Sequence, residues 1–149
     1  MNIPTEADWR SEPWDLDSAY AYDHFFGKDL EEAFDVFVNN VLYYQEDLMF
    51  MPLSCFSYYV MAYSDYLLSE ASKDDSDGAN GFFGLVEIRN NDISQSGDAV
   101  IKQIRKTLTR LRDNQFWYDA DEEIYGCFKT RGESCLKLIQ AEQGRTPNN

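Results

Sequence analysis

Apolar residues spaced three and four apart constrain this chain more than any other feature. After Asp29, the residues Leu30, Ala33, Phe34, Phe37, Val38, Val41 and Leu42 recur at the period that gathers side chains on one helix face. Asp29 and Glu32 have the spacing of a capping box, so this helix has a marked start. A second stripe, Phe56, Tyr59, Val60, Tyr63 and Leu67, follows Pro52, whose missing N–H costs nothing in a first helical turn. That helix is expected to reach Ser72. A third stripe, Val100, Ile101, Ile104, Leu108 and Leu111, lies within 98–118, and Lys102, Arg105, Lys106, Arg110 and Arg112 fall mostly off its face. Asp98 at its start and the arginines at its end complement the helix dipole.

The intervals are less decided. A short helix over 16–26 is expected to stop at Gly27. The stretch 73–81 reads as a turn-rich acidic loop and the best hinge. Residues 81–91 fit a strand through Phe82, Val86 and Ile88, or a helix through Phe82, Leu85, Val86 and Arg89, and the helix is preferred. A last region, capped by Asp119 or Asp121, takes its apolar face from Ile124, Phe128, Cys135, Leu136 and Ile139. Gly126 and Gly132 each cost about 1 kcal/mol in a helix interior, which divides that region in two. The fold class is therefore all-α: a single-domain bundle of five or six helices over 1–149, with 1–28 an aromatic and acidic lead-in and 144–149 a frayed tail.

Charge limits the partners rather than the fold. The chain carries 27 acidic and 13 basic residues, a net charge of −14. Residues 1–100 hold 20 of the acids and 4 of the bases, whereas 101–149 hold 7 and 9. A field of that sign repels nucleic acid and anionic lipid and steers basic proteins inward. Inside such a chain, the basic helix is expected to pair with acidic faces of its neighbours. An aromatic share of 15% separates the sequence from disordered acidic tails. There is no basic leader followed by an apolar run, and the longest apolar stretch, 48–60, is broken by Pro52, Ser54 and Ser57, so a cytoplasmic protein with no membrane span is expected. Cys55, Cys127 and Cys135 form an odd set and read as buried thiols, with Cys127 and Cys135 sharing a helix face.

Catalytic signals are sparse. The sole histidine, His24, reads as a surface or cap residue, and no C-x-x-C pair, phosphate-binding glycine loop or nucleophile motif accompanies it. The acids at 74–77 fail the EF-hand spacing in either register. No metal, cofactor or catalytic residue is assigned. The best carboxylate pair, Glu122 and Glu123 beside Trp117, Tyr118 and Tyr125, leaves a small hydrolase as an alternative.

Acids interleaved with Tyr and Trp match what protein interfaces use. The expected contact residues fall in two groups. One comprises Trp14, Asp15, Asp17, Tyr20, Tyr22 and Asp23, with Trp9 nearby; the other comprises Trp117, Tyr118, Asp119, Asp121, Glu122, Glu123 and Tyr125. The stretch Cys55 to Leu68, with Phe56, Tyr58, Tyr59, Ala62 and Tyr63 in register, resembles an F-x-Y-Y-x-x-A-Y helix of small, uncharacterised bacterial proteins. In size, charge, helicity and acids beside tyrosine, the chain is similar to the acidic helical immunity proteins that neutralise bacterial toxins, such as the colicin nuclease inhibitors. That resemblance implies an inhibitor of a basic protein, such as a cognate toxin, acting by occlusion and not as an enzyme. A regulatory or scaffold domain is the other alternative.

Overall fold

A computed structural model describes residues 1–144. Among these residues, eight α-helices occur in chain order: α1 (Glu6–Trp9), α2 (Leu16–Phe25), α3 (Leu30–Tyr44), α4 (Leu53–Leu68), α5 (Ser76–Ser94), α6 (Asp98–Asp113), α7 (Glu122–Tyr125) and α8 (Phe128–Gly144). Three 3₁₀ turns, Gln45–Phe50, Glu70–Ser72 and Gln115–Tyr118, link them. The all-helical class holds and no strand occurs among the described residues, but the count of five or six is corrected to eight. The short α1 and α7 account for the excess, since four residues give too few positions for a period. The expected fraying falls largely on 145–149, outside the described residues.

The central element is α4, three of whose tyrosines point into the core and end on backbone carbonyls or polar side chains. Tyr59 donates to Phe25 O and Lys28 O at 2.8 Å each. Tyr63 donates to Gly78 O at 2.5 Å, and Tyr66 to the Asp75 carboxylate at 2.7 Å. A phenol can thus be buried at little cost because its one polar atom is satisfied. Helices α3 and α6 flank α4, and α8 packs against both α5 and α6. The capping box of α3 forms, with Asp29 accepting from Glu32 N at 2.8 Å and Glu32 accepting from Asp29 N at 3.2 Å. The α6 stripe is buried throughout, from Val100 to Leu111. No described helix is long and apolar enough to cross a membrane.

Several expectations are corrected. The stretch 73–81 is not a loop: α5 starts at Ser76, capped by Asp75, and Gly78 and Ala79 are buried. A Cβ at Gly81 would lie 2.0 Å from Gln45 Oε1, so the residue that suggests a turn instead permits a close helix contact. The helix reading of 81–91 holds, with Phe82, Leu85, Val86 and Arg89 buried and Ile88 outside. The Arg89 guanidinium is buried, donating to Leu48 O at 2.6 Å and Met51 O at 2.7 Å. Helix α4 ends at Leu68, short of Ser72. Val38 and Leu42 are exposed; α3 also breaks at Asn40, whose φ of −162° and ψ of 80° rotate the last turn of the helix away from the earlier stripe. Chain division near Gly126 and Gly132 is half right. Gly126 ends α7, while Gly132 lies inside α8, where an added Cβ would meet Arg112 Cβ at 2.9 Å.

Cys55 and Cys135 are buried, and burial pushes both thiols up to about 12. Cys127 is exposed just before α8, which corrects its expected burial. Hydrogen bonds from the Thr130 side chain and backbone hold its thiol below the ordinary value.

The expected internal pairing of the basic helix is also corrected. Among the described residues, no α6 cation forms an ion pair with another helix: Arg112 pairs with the adjacent Asp113 at 2.8 Å, and Arg110 lies 4.9 Å from the Trp117 ring centre. Lys102, Arg105 and Lys106 line an open groove bounded by Leu136. An amide bridges α4 and α6 instead, Gln103 donating to Asp65 at 2.7 Å.

Candidate protein-binding surface

The second expected segment forms an outward turn built on one buried glutamine. Gln115 Nε2 donates to Ala120 O at 3.0 Å and Gly126 O at 2.8 Å, and its Oε1 accepts from Phe128 N at 2.9 Å. Three backbone groups between α6 and α8 are thereby fixed by one side chain. The 3₁₀ turn advances about 120° per residue, so the consecutive aromatics Phe116, Trp117 and Tyr118 face three directions. Tyr118 is fully buried and donates to Leu67 O at 2.6 Å. Trp117 is half-buried beneath Arg110, and Phe116 is 85% exposed.

Asp119 comes next in the left-handed region at φ 55°, a conformation that aspartate tolerates better than most residues. Asp121 then caps α7, accepting from Glu123 N at 2.9 Å. Tyr125 closes the far end: it donates to Asp77 at 2.7 Å and accepts from Ser76 Oγ at 3.0 Å. Between these anchors lies an open depression of about 480 Å³, lined by Phe116, Ala120 and the carboxylates of Asp119, Asp121, Glu122 and Glu123. None of those four acids has an ion-pair partner among the described residues. Ile124 is 74% exposed beside them, which corrects its assignment to the core.

The amino-terminal segment has a similar composition but uses it differently. Trp9 is fully buried against Tyr59 and Tyr22, and so leaves the expected surface. Trp14 is half-buried, with the Arg10 guanidinium 4.0 Å from its ring centre and Tyr22 meeting it edge-on at 5.4 Å. Tyr22 in turn stacks on Phe26 at 4.5 Å. Asp15 caps α2 through Ser18 N at 2.8 Å, and hydrogen bonding from Ser18 holds its carboxyl below the usual value. Asp17, Tyr20 and Asp23 remain exposed or partly so.

The two segments do not converge on one site. The 115–125 turn is tied to α5 and the end of α4, whereas α2 docks on the 3₁₀ turn Gln45–Phe50. Phe116 is a surface residue that sequence reasoning missed, because periodicity cannot show which ring of Phe-Trp-Tyr turns outward. His24 was missed as well: it is half-buried and hydrogen-bonded through Nδ1 to Asp47 at 2.6 Å, a pairing across 23 positions with no local signal. Among the described residues, no three His, Cys, Asp or Glu side chains gather to hold a metal ion. Comparison with protein-family models, curated proteins and solved structures returned no match.

Proposed function

We propose that this chain is a protein-binding inhibitor of a basic partner, of the immunity-protein type, that occludes a toxin's active site. The observation that carries the reading is the solvent-facing turn, braced by Gln115, in which Phe116 stands among four carboxylates that form no ion pair among the described residues. An exposed large ring on an ordered backbone is a hot-spot anchor, because its desolvation on docking needs little reorganisation. Surrounding acids supply the complementary rim, which accelerates encounter toward about 10⁸–10⁹ M⁻¹s⁻¹ at low salt. These acids would take the positions of the partner's anionic substrate, and the helical body would block access.

Binding is favoured over carboxylate catalysis by exposure. General acid catalysis calls for a carboxyl held in an apolar site, and Glu122 and Glu123 both stand in solvent. Co-purification from the native cell, followed by a salt titration of the captured complex, tests the reading. A basic protein whose dissociation constant rises steadily with ionic strength is expected; a partner bound with no salt dependence would reject it.

A further inference from the structure

We infer that the basic groove between α6 and α8 seats the acidic 115–125 turn of a second copy of this chain. The contact would cover the turn until a basic partner displaced it. That regulatory consequence rests on the inhibitor reading, whereas the contact itself is carried by a different part of the molecule.

The groove measures about 670 Å³ and is lined by Lys102, Arg105, Lys106 and Arg112, with Ala99 and Leu136 supplying apolar surface. No carboxylate lines it, in a chain where acids outnumber bases by 27 to 13. Lys102 to Arg112 spans about 15 Å of helix. Among the described residues Arg112 is ion-paired with the adjacent Asp113, and the other three cations form no ion pair. Asp65, whose carboxyl feels the charge of Lys106, accepts from the Gln103 amide instead. Like charges three and four residues apart repel along a helix. Lys102, Arg105 and Lys106 therefore load α6 with a repulsion that an incoming anionic surface would relieve.

The complementary surface is on the same chain. Asp119, Asp121, Glu122 and Glu123 form no ion pair among the described residues, and the exposed Phe116 ring stands with them. Seated in the groove of a second copy, four carboxylates would meet four cations. The ring would cover Leu136 and the apolar stems of the lysines and arginines. Arg112 precedes Phe116 by only one helical turn of sequence, so the basic and acidic patches adjoin. Adjoining patches of opposite sign complement themselves about a two-fold axis, each turn entering the other copy's groove.

Net charge limits the strength of this contact. Two bodies at −14 repel, but at physiological ionic strength exposed charges are screened beyond about 8 Å, while those in contact still attract. The product is a weak dimer. Nucleic acid shares the sign of the turn, yet it would meet the repulsive field of the whole body along its length.

Sedimentation equilibrium of the full chain at physiological salt, from about 10 μM to about 1 mM, covers the range of weak association. Wild type should rise from the mass of one chain toward that of two. Two variants each reverse one patch: Lys102→Glu with Arg105→Glu, and Glu122→Lys with Glu123→Lys. Like charges facing across an interface are costly, so each variant alone should associate at least about tenfold more weakly. An equimolar mixture should recover wild-type association, because each turn then finds a groove of opposite sign. The neutral pair Lys102→Gln with Arg105→Gln adds no new charge to α6 and should still weaken association, and unchanged unfolding midpoints check the fold. The Glu122→Lys, Glu123→Lys chain is less acidic than wild type, so net charge alone would make it associate more strongly; that result would overturn the inference. A wild type that stays monomeric, a mixture of folded variants that does not recover, or a monomer whose groove binds a single-stranded oligonucleotide would overturn it too. These outcomes are read on the chain alone and leave the inhibitor reading to its own test with the basic partner.

Discussion

The amino-terminal segment and the 115–125 turn draw on the same residue types, acids interleaved with large aromatics, and put them to opposite uses. In the first, Trp9 and Trp14 meet Tyr22 edge-on, Tyr22 stacks on Phe26, and the cluster fastens α1 and α2 to the body, α1 against α4 and α2 against the 3₁₀ turn Gln45–Phe50. In the second, Tyr118 is the one aromatic ring that goes fully inside, and Phe116 and Ile124 stay in solvent. Composition is therefore a poor guide to which aromatic is available to a partner. Backbone geometry decides it: α2 turns a face toward the body at every third or fourth residue, whereas the 3₁₀ turn distributes three adjacent rings over three directions.

The contrast breaks most visibly at Trp9. Trp9→Ala removes a fully buried indole and should cost about 3–5 kcal/mol in a urea melt; a loss below about 1 kcal/mol would mean that the amino-terminal segment is not fastened as described. Gln115→Ala comes next. It frees two carbonyls and one N–H and should cost about 2 kcal/mol, with faster hydrogen exchange confined to 115–128. Exchange that quickened equally around α2 would deny the turn its separate support. The smallest effect compares thiols beneath and beside the two regions. Burial, with a smaller push from the charges of Asp8 and Glu12, raises the Cys55 thiol to about 12, whereas Cys127 is exposed and lowered by Thr130. Native protein at pH 8 should take up one alkyl group, on Cys127, and the buried thiols should react only on unfolding. Prompt labelling of Cys55 would show that α1 opens readily.

Much of the fold was legible because caps and stripes are local. Asp29 and Glu32 announce α3, and the α6 stripe from Val100 to Leu111 is buried as its spacing requires. Where the sequence misled, long-range packing overrode local propensity. The glycines and acids of 73–81 resemble a loop, yet Asp75 caps a helix there and Gly81 admits the Gln45 side chain. Site residues fared similarly. Asp119, Asp121, Glu122 and Glu123 do share a surface, while Tyr118 left it for the core and Phe116 replaced it. Asp47, Tyr43 and Phe50 meet Tyr20 and His24, which lie four apart on α2, only through the docking of α2 on a distant turn. No spacing rule links residues brought together in that way.

The claim that the 115–125 turn carries the partner is tested most directly by one affinity comparison. Wild type and a chain bearing Phe116→Ala, Asp119→Asn, Glu122→Gln and Glu123→Gln are titrated with the captured basic partner at low and physiological salt. All four positions are exposed and Asp121 keeps its cap, so the unfolding midpoints should match. Phe116 alone is expected to contribute about 2 kcal/mol, roughly 30-fold in dissociation constant. The combined variant should bind more weakly still and lose most of its salt dependence. Equal affinity of the two chains, with unchanged salt dependence, would contradict the assignment of this turn as the binding surface.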